Sequence, residues 1–424
     1  MPKFSSGIVS QTSPLAPHTQ PNRIHQSLQS RKHKPERKLC PSPLLSDKHL
    51  ERRWRVLSEL TDQTVLLDSF TQAHYDAYQG NIEHFIGTVN VPVGIAGPLR
   101  VNGLYAQDDY LVPLATTEAA LVASYHRGAN LITAAGGASA MLINEGVSRT
   151  PVFAFDSLAD AGLFVAWAVA QYEQFKEIAE ATTSHGQLKD MNVNIEGNHV
   201  YLVFEYLTGD ASGQNMVTIA TNAVYRFILS HSPIVPVEAF LDGNLSGDKK
   251  PNAHTLRSVR GKKVSAEVII AAELVEKYLH TSVARMVSFA NKTTVGGLLS
   301  GSVGINAHYA NALAALYIAC GQDAACVSES SIGISRMEMR QDGALYASVT
   351  LPNIMVGTVG GGTGLPTQKA CLDILGLSGS GNARAFAEVT AALCLAGELS
   401  IVGAFCAEHF SRAHHKLARG QAKS

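Results

Sequence analysis

Four sets of polar residues interrupt apolar stretches of this chain, and all are of types that hold charge or move protons. Glu118 lies in "PLATTEAALVASYHRG", Asp323 in "ACGQDAAC", Lys249 and Lys250 in "SGDKKPNAH", and His409, His414 and His415 near the end of the last apolar run. A carboxylate between hydrophobic flanks needs a partner once buried. An ammonium fixed in a dry pocket stabilises an oxyanion. An imidazole at the C-terminal end of a helix is favoured in its charged form and can give up a proton. Taken singly, each group also has a plainer use. Glu118, following a Thr116 or Thr117 cap, complements a helix N-terminus, and adjacent loop lysines are ordinarily solvated.

The glycine run "GTVGGGTGLP" from Gly357 to Pro366 raises the question of a nucleotide. No frame through it supplies G-x-G-x-x-G, and no Lys followed by Ser or Thr comes after its last glycine, so neither a Rossmann fingerprint nor a P-loop is present. Any nucleotide site here is of another kind. Zinc is disfavoured because the histidines make no H-E-x-x-H and the cysteines are not paired in sequence. A serine hydrolase is disfavoured because there is no G-x-S-x-G elbow.

The elements that must position these groups follow from periodicity. The 424 residues, 46 % of them apolar, suffice for two or three domains with a large core, and a net charge of −1 argues against nucleic acid or anionic membrane as the main partner. Six scattered cysteines suit a reducing cytosol. No stretch has the roughly 20 uninterrupted apolar residues of a membrane span. Residues 1–45, rich in Ser, Pro, Gln, Lys and Arg, read as a disordered tail, and 46–88 as a small helical region. The segment "VNVPVGIAGPLRVNG" reads as a rigid, turn-rich entry to a new unit.

Over 151–241 strand and helix periods alternate. "PVFAF" is a strand, "LADAGLFVAWAVAQYEQFKEIAEA" one long helix capped at Asp156 or Ser157, "LKDMNVNIEG" and "NHVYLVFEYL" a hairpin about Gly197 and Asn198, "NMVTIATNAVYRFIL" a helix and "IVPVEAFL" a strand. That order, β-α-β-β-α-β, is the ferredoxin-like unit. The expected fold class is therefore α+β: a large helix-rich α/β domain from 89–150 and 242–424, with the small domain inserted. In the last part "EVIIAAELVEKYL", "NALAALYIACG" and "FAEVTAALCLAGELSIVGAFCAEHFSRAHHKLA" read as helices whose small residues permit close packing.

Six motifs in order, "VPVGIAGPL", "PLATTEAALVAS", "GDKKPN", "NAHYANALAALYIACGQDAA", "GTVGGGT" and "AGELS" followed by a late His, resemble the hydroxymethylglutaryl-coenzyme A reductase family. The resemblance is closest to the class found in archaea, eukaryotes and some bacteria, and it runs from about Glu83 to His414. It implies reduction of hydroxymethylglutaryl-CoA to mevalonate by two hydride transfers from NADPH, with NADH possible, CoA leaving between them. It places Glu118, Lys249, Asp323 and His414 on the catalytic positions. Lys249 would stabilise the oxyanion, Asp323 would hold Lys249 and raise the pKa of a crowded Glu118, Glu118 would protonate the final alkoxide and His414 the thiolate. His409, five residues earlier and so rotated by about 140°, would be structural.

By the same resemblance, "GDASGQNM" places Asp210, Gly213 and Asn215 at the cofactor, together with Val359, Gly360 and Gly361 of the glycine run. Arg149, Lys250, Lys292 and Asn311 fall on substrate contacts. A homodimer or a tetramer with the site at a subunit contact is implied, in the cytoplasm and without the anchor of animal and fungal members. Two positions depart from the family. Ser184 stands where an Arg commonly grips the 2′-phosphate of NADPH, and Asp242 replaces a small hydroxyl residue at the base of the Lys249 loop. These leave two rivals to an active reductase: an acyl-CoA-binding homologue without turnover, and an enzyme that oxidises mevalonate with NAD.

Overall fold

The computed structural model describes residues 29–30 and 37–407; His409, His414 and His415 lie outside them. The described residues fall into two units, one comprising those up to Ala73 with Ile82–Thr88, the other His74–Asn81 with Val89 onward.

In the first unit, helix α1 (Asp47–Leu57) buries Leu50, Arg53 and Trp54 along one face. A buried guanidinium must find acceptors, and Arg53 donates to the carbonyls of Phe85, Ser42 and Leu44 at 3.1, 2.7 and 2.8 Å. Trp54 donates to Ile86 O at 2.9 Å, and a short α2 (Ser69–Ala73) follows.

The second unit begins with an antiparallel pair, β1 (Val93–Gly103) and β2 (Gln107–Ala115). The stretch expected to be a turn-rich entry is thus mostly strand, and Gly97 and Pro98 coincide with a register shift between Ala96 and Leu99. Next come α3 (Leu121–Ala134), β3 (Ala138–Arg149), β4 (Val152–Ala154), α4 (Leu158–Ala170), α5 (Tyr172–Glu180), β5 (Gln187–Glu196), β6 (His199–Leu207), α6 (Gln214–His231) and β7 (Glu238–Phe240). The single long helix expected after Ser157 is broken at Gln171 into α4 and α5. Hydrophobic periodicity continues through that break, which is why the pattern alone missed it. Ser157 does cap α4, accepting from Asp160 N. β5 and β6 form a hairpin with Glu196 opposite His199.

The remainder is β8 (Gly261–Ile270), α7 (Ala272–Leu279), α8 (Val283–Leu299), α9 (Tyr309–Ala319), α10 (Val327–Ser330), β9 (Ile334–Met339), β10 (Leu345–Ile354), α11 (Pro366–Leu375) and α12 (Ala383–Cys406). "EVIIAAELVEKYL" is not one helix: its "EVII" closes β8, whose side chains alternate between buried and less buried, as β-branched residues in a ladder do, and the helix starts only at Ala272.

One sheet runs β7-β4-β6-β3-β8-β10-β9, with β1 added on β3 and β5 on β6. Helix α12 passes through the core. Its 24 residues are apolar enough to match a membrane span in length and composition, but 89 % of its most apolar window is buried inside the protein. Gly128 of α3 meets it so closely that a Cβ there would strike the Ala396 carbonyl. Two buried glutamates on α12 do structural work. Glu388 accepts the backbone N–H groups of Leu104, Tyr105, Ala106 and Leu142, and Glu398 accepts those of Ala307 and His308 and the Ser335 hydroxyl.

Candidate active site

A cavity of about 580 Å³ is lined by Lys249 and Asp323, by the segment from Ala211 to Met216, and by the glycine run at Gly357 and from Val359 to Thr363. Lys249 sits on the loop joining β7 to β8, with φ +56° in the left-handed region that a non-glycine residue adopts only when its surroundings hold it. What holds it is a charge network. Asp248, the preceding residue, accepts from Arg260 at 2.6 Å and from Arg149 at 3.4 Å. Arg260 is fully buried and also reaches Glu329 at 3.4 Å and Ser148 O at 3.2 Å. Burial pushes the Glu329 carboxyl up, opposed by hydrogen bonding and by Arg260.

Lys249 Nζ lies 2.9 Å from Asp323 Oδ2. That hydrogen bond raises the Lys249 pKa above its ordinary value, against the smaller opposing effect of burial. Asp323 is fixed in turn, because its Oδ1 accepts from Ala325 N at 3.0 Å and caps the short turn before α10. The pair is therefore an ammonium of assured charge, half-exposed on the cavity wall.

The glycine run is tied across the cavity's rim. Gly357 N donates to Gln322 Oε1 and Thr358 N to Asp210 O, both at 2.8 Å. A Cβ on Gly357 would lie 2.5 Å from Ser212 N, so only glycine lets the two segments approach this closely. Opposite, α6 begins at Gln214 behind Gly213 with no side-chain cap, and Gln214, Asn215 and Met216 line the cavity. An uncapped helix start facing a cavity suits an anionic group such as a pyrophosphate.

Of the residues singled out from sequence, the fold brings Lys249, Asp323, Gly213, Asn215, Val359, Gly360 and Gly361 to this one cavity. Asp210 is close but occupied: its carboxylate accepts from Gly381 N at 2.7 Å and Ala383 N at 3.2 Å, so it joins the glycine run to the start of α12. Ser184 is exposed in the turn before β5, whose Thr183 hydroxyl touches Met216 Sδ at 3.1 Å. Arg149 is buried and paired with Asp242, and Lys250 turns back to the Asp248 carbonyl at 3.0 Å.

Glu118 is elsewhere. It precedes α3 instead of lying within it, because Ala120 takes the left-handed position before the helix while Thr116 Oγ1 accepts from Glu118 N. Its charge acts on Tyr125, which hydrogen-bonds His308 at 2.9 Å just before α9, whereas Asp323 follows the far end of α9. An 11-residue helix is about 16 Å long. Glu118 is not among the residues that line the cavity holding Asp323. Asn311 belongs to the first turn of α9, away from the Lys249 end, and Lys292 is exposed on α8, bonded to Ser288 Oγ at 2.6 Å. Sequence reasoning missed Asn81, Gln322 and Gln368, which also line the cavity. Gln322 sits one residue before Asp323 and carried a signal; the other two had none. Among the described residues no group of three or more His, Cys, Asp or Glu is placed to hold a metal.

Comparison with known proteins agrees on the class of molecule. The sequence profile described as hydroxymethylglutaryl-coenzyme A reductase matches residues 49–419. The 3-hydroxy-3-methylglutaryl-coenzyme A reductase of Methanocaldococcus jannaschii is 45 % identical over 349 residues, 81 % of this chain and 86 % of that one. That of Haloferax volcanii is 45 % identical over 350 residues, covering 81 % and 86 %. Among solved structures, the class II 3-hydroxy-3-methylglutaryl-CoA reductase of Streptococcus pneumoniae bound to NADPH in open conformations aligns with a TM-score of 0.63 and 19 % identity, over 85 % of this chain and 97 % of that one; this likeness bears on the fold alone. The family model and the sequence relatives are those of an oxidoreductase. The chain belongs to the hydroxymethylglutaryl-coenzyme A reductase family.

Proposed function

We propose that this chain reduces (S)-3-hydroxy-3-methylglutaryl-CoA to mevalonate and free CoA, consuming two NADPH, in isoprenoid precursor synthesis. The observation that carries this is the Lys249 ammonium held by Asp323 at 2.9 Å on the wall of a cavity whose other walls are glycine backbone and an open helix start. Those two walls fit a dinucleotide phosphate group, and 151–241 would be the cofactor-binding domain, with Gly213, Asn215, Val359, Gly360 and Gly361 around the nucleotide and Ser184 near its ribose. NADPH supplies a hydride at each of the two reductions.

The chain's own groups do the rest. Lys249 stabilises the oxyanion as the thioester carbonyl is reduced and again as the aldehyde is reduced. His414 protonates the departing thiolate when the hemithioacetal collapses. Glu118 gives the last proton to the alkoxide. Glu118 does not line the cavity of its own chain, and a second copy brings it there, in a homodimer or a tetramer. The exposed face of α8 supports this: Val295, Leu298 and Leu299 are 55, 67 and 84 % exposed on the helix that carries Lys292. Six free thiols suit a cytoplasmic setting.

The test is NADPH and NADH oxidation by the purified chain with hydroxymethylglutaryl-CoA. Two equivalents of NADPH consumed per CoA released is the expected result. Acyl-CoA binding without turnover would support a non-catalytic homologue instead, and an NADH preference would trace to the uncharged Ser184.

A further inference from the structure

Residues 321–326 make contact in turn with the glycine run, with Lys249 and with the start of α6. Gly321 and Gly362 meet backbone to backbone: a Cβ on Gly321 would lie 2.2 Å from Gly362 O, and one on Gly362 would lie 2.6 Å from Gly321 O. Gln322 Oε1 accepts from Gly357 N at 2.8 Å while its Nε2 donates to Cys320 O at 2.6 Å, so this side chain is fixed at both ends. Asp323 holds the Lys249 ammonium. Three residues on, Cys326 Sγ accepts from Gln214 Nε2 at 2.7 Å, and Gln214 is the first residue of α6.

Cys326 is fully buried, and burial pushes its thiol up, so it meets Gln214 as a neutral S–H group and not as a thiolate. Cys326 does not itself line the cavity but is bonded to Gln214, which does. Glycine backbone and a helix start hold one anion together only when their N–H groups keep a fixed separation. A nucleotide seated across these two walls therefore fixes the segment that touches both, and with it the carboxylate that aims Lys249.

We infer that residues 321–326 couple the two ligands of the site: a nucleotide between the glycine run and α6 orders Asp323 and Lys249, so acyl-CoA binds more tightly to the nucleotide complex than to the free chain. Cys326 is the positioning residue that carries this coupling through Gln214. By linkage, acyl-CoA tightens the nucleotide by the same factor. This rests on the reading of the Lys249 cavity as a nucleotide and acyl-CoA site, and goes beyond it in naming how one ligand acts on the other.

The experiment is calorimetric binding of hydroxymethylglutaryl-CoA to the full chain, with and without saturating NADP⁺, which leaves the thioester unreduced. The wild type is compared with Cys326→Ala and Cys326→Ser. In the wild type NADP⁺ should tighten the thioester by about ten-fold. Cys326→Ala removes the partner of Gln214 and should bring that factor to about two or less, with the affinity for the thioester alone unchanged. Cys326→Ser keeps a hydroxyl for Gln214 and should restore the factor. A wild-type factor near one, or an unchanged factor in a folded Cys326→Ala chain, overturns the proposal. If Cys326→Ala unfolds, Gln214→Leu removes the same bond from the other side and decides by the same ratio. Coupling in a chain that never oxidises NADPH supports the link while counting against the reductase function. Binding of NADP⁺ without the thioester counts against the acyl-CoA reading and removes the proposal with it.

Discussion

Lys249 and Asp323 depend on each other, and titration separates their roles. A lysine whose folded pKa is raised contributes stability that is fully present below its unfolded pKa and lost as pH rises through the folded value. Asp323 is the first cause of the Lys249 shift, so the ammonium stays charged past its ordinary range. Asp323→Asn should therefore move the alkaline limb of the kcat/KM profile to lower pH, and an unmoved limb would mean that Lys249 does not carry the rate. Lys249→Met should cost about 10²–10³-fold or more in kcat with the melting temperature preserved, since the side chain is half-exposed and its loss leaves no cavity. Equal loss of fold and rate would return Lys249 to a structural part.

At the scale of elements, the cavity's shape depends on contacts that contain no reactive group. Asp210 joins the glycine run to the start of α12, and Glu388 on the same helix gathers the β1–β2 turn and β3. Glu388 is wholly buried and takes four backbone N–H groups, so truncating it orphans the buried Ala106 donor and loosens the three part-buried ones in the turn and β3. Glu388→Ala should destabilise by about 3 kcal/mol or more, counting about 1–3 kcal/mol for each orphaned group and allowing for partial relaxation. The check is the urea midpoint at constant m-value. A loss below about 1 kcal/mol would mean that the turn finds other acceptors.

At the scale of the whole molecule, the proposal that a second copy brings Glu118 to the Lys249 cavity makes oligomerisation a catalytic matter. Chains carrying Glu118→Gln and chains carrying Lys249→Met should each be inactive alone. If the site is shared, mixed dimers of the two regain one intact site out of two. Random mixing after subunit exchange should then restore about a quarter of wild-type activity, since half of the dimers are mixed. No recovery in a mixture shown to have exchanged would place Glu118 in its own chain's site. A fully active monomer on size exclusion would also do so.

The one-dimensional order of residues already contained the family motifs, the alternation of strand and helix from 151 to 241, and the Lys249, Asp323 and glycine-run constellation, because those signals are local in residue type and spacing. It could not show the break at Gln171, where the apolar period runs on unbroken, or the strand in "EVII", where branched residues fit the ladder better than the helix next to it. Nor could it show that Arg149 turns to Asp242 or that Asp210 is taken up by backbone amides. Those are choices of partner between segments distant in the chain. Only tertiary packing makes them, because a buried charge is satisfied by whatever the fold brings within about 3 Å of it.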